Sequence, residues 1–193
     1  MNFCSNCGAP VSLRVPPGDT LPRYVCGACE TIHYQNPRIV AGCIPEWQDQ
    51  ILLCQRAIEP RHGLWTLPAG FMEKGETTAQ AALRETVEEA RAHVRVGALY
   101  TVFNLPHIDQ VYLIYRARVL DLDYAPGHES LKVELFREED IPWDGLAFRV
   151  ITETLKLYFK DRGDGAYRTH VGDIVRQPGN GSSYKVSVLT HRG

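Results

Sequence analysis

Three glutamates, Glu85, Glu88 and Glu89, stand at i, i+3 and i+4 in the stretch GFMEKGETTAQAALRETVEEARA from Gly70 to Ala92. On a helix this spacing crowds three carboxylates onto one side, where like charges repel by a few tenths of a kcal/mol per pair. A solvated acidic surface is the bland reading. The surroundings favour another, because a glycine-punctuated loop, Gly70 to Gly75, feeds the helix and Arg84 precedes the cluster. Clustered carboxylates form a hard-oxygen site suited to Mg²⁺ or Mn²⁺, which keep several waters and also bind phosphates. A second set of residues is softer: Cys4 with Cys7 and Cys26 with Cys29 form two Cys-x-x-Cys pairs separated by the 18 residues Gly8 to Val25. That spacing matches a tetrahedral zinc site, with Gly8 and Gly27 allowing the tight turns behind each pair. The alternative is two disulfides. Four sulfur ligands would leave no open position for a catalytic water, so this zinc is read as structural.

The elements that must hold these groups can be outlined from periodicity. Thr77 and Gln80 have capping-box spacing and start the acidic helix, for which Ala79, Ala82, Leu83, Val87 and Ala90 are the expected buried stripe. Ile39 to Ile44 and Ile51 to Arg56 flank the turn-rich EWQDQ as a hairpin, and Leu64 to Leu67 is a third short strand. Further strands are expected at His93 to Phe103, Gln110 to Val119 and Leu131 to Phe136. Leu146 to Lys160 reads as a second amphipathic helix, with Leu146, Val150, Ile151, Leu155 and Tyr158 on one stripe. The last stretch, 161–193, is Gly-rich and polar, with one strand at Tyr184 to Leu189. Cys43 and Cys54 lie in apolar runs and read as buried small side chains. Strands mixed with two helices argue for an α/β layered domain.

Composition narrows the function further. The chain has 193 residues, 44% hydrophobic and 23% charged, with 21 basic against 23 acidic side chains and a formal charge of −2. That is enough to bury one real core and gives no bulk attraction to nucleic acid or an acidic membrane. No apolar run approaches a membrane span, and MNFCSNCGAP lacks the order of a signal peptide, so a cytoplasmic location is expected. Residues 1 to 30 balance Arg14 and Arg23 against Asp19 and Glu30, with only Phe3 and Tyr24 aromatic, which argues against a nucleic-acid-binding ribbon.

The spacing of Gly70, Glu76, Arg84-Glu85 and Glu88-Glu89 resembles the Nudix box, the signature of hydrolases of nucleoside diphosphates linked to another group. Two positions depart from it: Thr86 replaces an aliphatic residue and Arg91 replaces the glycine that closes the helix. The four-cysteine ribbon, YQNP, GLWTLPAG, APGHESL and EEDIPWDGLAF extend the likeness to plant chloroplast FAD pyrophosphatases of the superfamily and their bacterial relatives. The SQPWPFP motif of the NADH pyrophosphatases is missing, since the corresponding region reads YTVFNLPHIDQ, and Pro106 lies near a proline of the ADP-ribose pyrophosphatases. FAD and ADP-ribose are therefore expected ahead of NADH.

This resemblance implies a Nudix α/β/α sandwich with a mixed sheet over 35–160, preceded by a zinc ribbon at 1–34 and followed by a Gly-rich extension at 161–193. It implies that Glu85, Glu88, Glu89 and the Gly70 carbonyl hold Mg²⁺ or Mn²⁺, that Arg84 orients the glutamates, and that Glu76 fixes the loop. Glu129, with Glu134 next, is the expected further carboxylate. Arg56 and Arg61 are candidates for the diphosphate, and Trp65 and Phe71 for stacking on a ring of the substrate. His33, His62 and His107 show no nucleophile or ligand spacing and receive no role. The expected partner is a small dinucleotide such as FAD, cleaved to FMN and AMP, with neither nucleic acid nor membrane involved and a homodimer plausible by likeness. A non-catalytic nucleotide sensor is the competing class, but such proteins usually add a DNA-binding module and lose the box glutamates. An RNA-processing pyrophosphohydrolase would need the ribbon to hold RNA.

Overall fold

The structure is a computed structural model that describes residues 1–177 and 183–190. The chain divides into two compact units, Met1–Pro37 and Arg38–Gly193.

In the smaller unit, β1 (Val11–Arg14), β2 (Arg23–Cys26) and β3 (Ile32–His33) form an antiparallel three-stranded sheet. Gly8, at φ 76°, donates its amide to the Cys4 carbonyl at 2.9 Å, closing the turn behind the first cysteine pair. Between β1 and β2 the Asp19 carboxylate accepts the amides of Thr20 and Leu21 and pairs with Arg23 Nε at 2.9 Å. The Arg23 bond, helped by those amides, holds Asp19 down at about 2.

The larger unit is built on a nine-stranded mixed sheet in the order β10-β5-β4-β9-β8-β11-β12, with β6 on β5 and β7 on β4. The ranges are β4 (Arg38–Trp47), β5 (Gln50–Arg56), β6 (Trp65–Thr66), β7 (Ala69–Phe71), β8 (Val94–Leu105), β9 (Gln110–Val119), β10 (Ser130–Phe136), β11 (His170–Arg176) and β12 (Tyr184–Thr190). The sheet lies between α1 (Thr78–Ala90) and α2 (Arg149–Gly163). Alternation along β4 and β5 makes this possible: Val40, Ile44, Ile51 and Leu53 belong to the core under α2, whereas Ala41, Cys43, Leu52 and Cys54 belong to the core under α1. The α/β/α layering expected from the sequence is therefore present. Among the described residues no helix is long and apolar enough to cross a membrane.

The stretch after residue 160, expected to hold one strand, contains the end of α2 and two strands, β11 and β12. β11 runs parallel to β8, from His170 opposite Thr101 to Asp173 opposite Asn104. Buried Asp161 fastens it, accepting the Tyr100 hydroxyl at 3.2 Å and the Arg168 amide at 3.1 Å, with His170 Nε2 at 2.8 Å.

α1 begins as expected, with both halves of the Thr77–Gln80 capping box formed. Its buried face differs. Leu83 and Val87 are 39% and 45% exposed, and Ala81, Ala82, Glu85, Thr86, Glu89 and Ala90 are the buried residues. The helix is turned by about a quarter turn from the apolar stripe, because its small residues pack closely on Ala41 and Cys43 while two of its glutamates face inward. Thr86, fully buried, satisfies its hydroxyl on the Ala82 carbonyl at 2.8 Å. Arg91 caps the helix in the left-handed region at φ 48°, bonding the Val87 carbonyl at 2.9 Å. A side chain there is strained, so Arg91→Gly is expected to stabilise the protein by about 1 kcal/mol, read as a higher midpoint in urea unfolding with an unchanged slope.

Candidate active site

The site exists because β4 and β5 part company. They pair only at Glu46–Ile51 and Trp47–Gln50, after which β5 takes β6 as its partner and β4 takes β7. The loop from β7 to α1 runs out of this split, and two glycines permit the approach. A Cβ on Gly42 would strike Ala69 and the Pro68 carbonyl, and one on Gly70 would strike the Glu85 carboxylate. Gly70 therefore brings a backbone strand against a buried acid.

Arg84 organises the acids. It grips Glu76 with two bonds of 3.1 and 2.8 Å, Glu85 at 2.7 Å and Glu88 at 3.0 Å, and reaches the Phe71 carbonyl at 3.1 Å. Glu76 also accepts the Glu73 amide at 2.6 Å, so it staples the loop to the helix. The Arg84 bonds, with that amide, hold Glu76 below the usual carboxylate range. The other acids move upward. Burial raises Glu85 against the pull of Arg84, and burial with the neighbouring charge of Glu85 pushes Glu89 up to about 8. Glu89 is 5% exposed, and its side chain accepts the Ala69 amide at 3.2 Å. The Glu88 side chain is 57% exposed. Two largely buried carboxylates, Glu85 and Glu89, beside the exposed Glu88, with Arg84 gripping Glu85 and Glu88, make a donor set suited to a hard divalent cation.

These groups line a cleft of about 870 Å³. Glu85, Glu88, Glu89 and Glu129 border it, as do Arg56, Gly70 and Phe71, so most of the expected residues converge. The Phe71 ring, 45% exposed, lies under the Arg38 guanidinium at 4.5 Å. Glu129 is delivered by a loop crossing the end of α1: the Gly127 amide bonds the Glu89 carbonyl at 3.0 Å, and a Cβ on Gly127 would collide with the backbone of Glu88 and Glu89. Trp65 is a correction. It lies outside the cleft lining and packs edge-on against Phe136, with centroids 4.9 Å apart, because β6 turns it toward the core under α2. Arg61 and Glu134 are also outside the lining, Glu134 standing on β10 opposite Leu53. Gln110, Tyr112, His128 and Phe148 line the cleft and were missed. His128 stands beside Glu129 within APGHESL, which was a usable signal; nothing in the sequence says which face of β9 meets the cleft. Cys43 and Cys54 are buried, and burial pushes the Cys43 thiol up to about 11, so neither is a reactive thiolate.

In the smaller unit the four sulfurs of Cys4, Cys7, Cys26 and Cys29 lie within 4.8 Å of one another, at 3.7 Å for Cys4–Cys29 and 3.5 Å for Cys7–Cys26. All four are free thiols, too far apart for disulfides. Zinc–sulfur bonds of about 2.3 Å place tetrahedral sulfurs about 3.8 Å apart, so the cluster fits zinc. The Asn6 amide points at Cys4 Sγ from 3.4 Å and the Cys29 amide at Cys26 Sγ from 3.5 Å, the arrangement of a metal knuckle. His33, assigned nothing from sequence, puts Nε2 3.3 Å from Cys4 Sγ, where it can support the ligand.

Comparison with known proteins agrees with this geometry. The pattern of the NUDIX domain matches residues 36–154, and a zinc-ribbon pattern described as Nudix N-terminal matches residues 2–35. The chain belongs to the Nudix family. Among solved structures, a NUDIX hydrolase from Nitrosomonas europaea is 58% identical with a TM-score of 0.89, over 91% of this chain and 99% of that one. An ADP-ribose pyrophosphatase from Streptococcus suis, at 19% identity and a TM-score of 0.56 over 70% of this chain and 98% of its own, shares the fold. Among curated relatives, an ADP-ribose pyrophosphatase of Methanocaldococcus jannaschii is 29% identical over 56% of this Nudix chain and 67% of its own length. The NAD-capped RNA hydrolase NudC of Salmonella schwarzengrund is 31% identical over 80% of this chain. The chain spans 60% of that relative's length.

Proposed function

We propose that this Nudix protein hydrolyses the diphosphate bond of an ADP-containing dinucleotide or nucleotide sugar, with Mg²⁺ or Mn²⁺, and that ADP-ribose and FAD are its first substrates. The observation that carries the reading is the sealed carboxylate pair Glu85 and Glu89 opening, with Glu88, into a cleft whose size suits a dinucleotide. Glu85, Glu88, Glu89 and the Gly70 carbonyl would hold the ion. Bound there, a divalent cation would supply charge neutralisation at the phosphate and lower the pKa of a coordinated water. Arg84 holds Glu85 and Glu88 in register, the Ala69 amide fixes Glu89, and Gly70 leaves Glu85 the space to turn inward. Glu129, an exposed carboxylate on the loop that crosses the end of α1, receives the proton from the attacking water. Arg56 faces the diphosphate, and Phe71 offers a ring for stacking at the mouth.

A second reading, hydrolysis of NADH or another NAD-linked substrate, is favoured by the NudC relatives, which match 80% of the chain although the sequence lacks the NADH-pyrophosphatase motif. A panel of FAD, ADP-ribose, NADH, NAD⁺, Ap4A and nucleoside triphosphates, ranked by kcat/KM with each metal and with products separated, decides between them. Turnover of none of the panel would overturn the enzyme reading.

The elevated Glu89 carboxyl gives a pH signature. In the metal-free protein Glu89 keeps its proton up to about pH 8, whereas unfolded it releases it near its ordinary value of 4.5. The folded state therefore binds more protons across that window, and metal-free stability falls as pH rises through it. A cation must displace the same proton, so its affinity rises over the window. The gain in Tm from saturating Mg²⁺ is expected to be larger at about pH 8 than at about pH 6, measured against EDTA controls. Equal gains would contradict the placement of the ion at Glu89.

A further inference from the structure

Tyr112 of β9 stands in register with Val40 of β4, which stands opposite Phe71 of β7, so the three share one face of the sheet and all line the cleft. The Tyr112 ring is packed into the core under α2, and the residue is 9% exposed. Its hydroxyl has no hydrogen-bond partner among the described residues. The Tyr112 oxygen is not among the sealed polar atoms of the described residues, so it keeps access to solvent, and the residue lines the cleft. A phenol held this way is a fixed donor waiting for an acceptor, and its body cannot swing away.

The cations bordering the cleft are Arg56 and Arg84. Arg84 is occupied by carboxylates, whereas Arg56 donates Nε to the Pro60 carbonyl at 3.0 Å and lies 5.1 Å from the Phe148 ring, with no carboxylate paired to it among the described residues. Burial raises the Tyr112 phenol and the Arg56 charge pulls it back; the same charge opposes the burial of Glu89. Arg56 therefore lies within electrostatic reach of both the acid cluster and the phenol.

We propose that the Tyr112 hydroxyl, acting with Arg56, binds the phosphate of the substrate that the carboxylate cluster does not hold, and that Tyr112 is a binding residue for the departing half. This rests on the diphosphate-hydrolase reading and names a group that reading leaves out. In the reaction a water oxygen bonds to the phosphorus on the carboxylate side and its proton passes to Glu129. The bond from that phosphorus to the bridging oxygen breaks, and the electron pair leaves with the bridging oxygen on the second phosphate. The charge gathering there is met by the Tyr112 O–H and the Arg56 guanidinium, donors already in place before the bond breaks.

Tyr112→Phe removes the hydroxyl and keeps the buried ring, so the melting temperature serves as a control. Titration of α,β-methylene-ADP in EDTA isolates this half of the site from the ion, and the variant is expected to bind about tenfold more weakly than wild type. On the dinucleotide that the wild type turns over best, kcat/KM is expected to fall about 10–100-fold with most of the loss in kcat. Arg56→Gln is expected to give a comparable loss, and the double variant less than the product of the two. Wild-type affinity and wild-type kcat in Tyr112→Phe would overturn the proposal. An inert wild type would overturn the hydrolase reading instead, and the EDTA titration would still test whether Tyr112 binds the diphosphate.

Discussion

Glu89→Gln is expected to lower turnover by about two to three orders of magnitude while leaving the fold intact. Glutamine has nearly the shape of glutamate and retains an oxygen to accept the Ala69 amide, so the contact that ties the helix to β7 survives. What disappears is the negative charge. In the metal-free state at about pH 8 that charge is a liability, since burial and the Glu85 carboxylate both oppose it. The variant is therefore expected to melt at or above the wild-type temperature in EDTA and to gain less from Mg²⁺. A collapse of turnover, unchanged or improved metal-free stability and a diminished metal response would together separate a lost ion ligand from a damaged core. Normal turnover on the wild-type substrate would remove Glu89 from the site. Glu88→Gln provides the comparison: its side chain is more exposed, so the metal-free stability should hardly move while turnover still falls.

Local chemistry carried the readings that the structure reproduces, and long-range burial produced the differences. The capping box needs only Thr77 and Gln80, three residues apart, and both of its bonds form. The cysteine pairs likewise announce their cluster through short spacing. The burial face of α1 was misread because hydrophobicity assigns Leu83 and Val87 to the inside and the glutamates to the outside. At an acid site this order is inverted, and Glu85 and Glu89 are sealed while the aliphatic side chains face water. Trp65 was misplaced for a related reason: a two-residue strand can present a side chain to either face, and its pairing with Cys54 and Gln55 of β5 decides the matter. Tyr112 was hidden because it belongs to β9, whose extent is legible but whose two faces are told apart only by its pairing with β4, which sets Tyr112 beside Val40 in the cleft lining. β11 gave no strong alternating signal, since it is recruited into the sheet by β8 and by the buried Asp161 cluster.

Loss of one ribbon cysteine is expected to unfold the smaller unit outright. Of the residues in Met1–Pro37 only Cys4, Pro16, Val25 and Cys26 are buried, so its interior is largely sulfur. A unit of this size cannot offset the entropy of ordering its chain with two apolar side chains, and below about 40 residues a metal or crosslink normally supplies the difference. The sulfurs are spaced as zinc ligands, and zinc contributes about 10–16 kcal/mol to such sites near neutral pH. Replacing the exposed thiol of Cys7 with a hydroxyl in Cys7→Ser removes one thiolate while disturbing no buried packing. Metal analysis should then find the zinc lost from purified variant, and amide exchange in β1, β2 and β3 should rise toward unprotected rates. The larger unit has its own core on both faces of its sheet and is expected to keep its cooperative melt. Cys43→Ser is the control: it places a hydroxyl in the core under α1, lowers the melting temperature of that unit, and leaves the zinc content unchanged. Wild-type protein that contains no zinc yet shows protected ribbon amides would overturn the argument, because the small unit would then be stable without any ion to organise it.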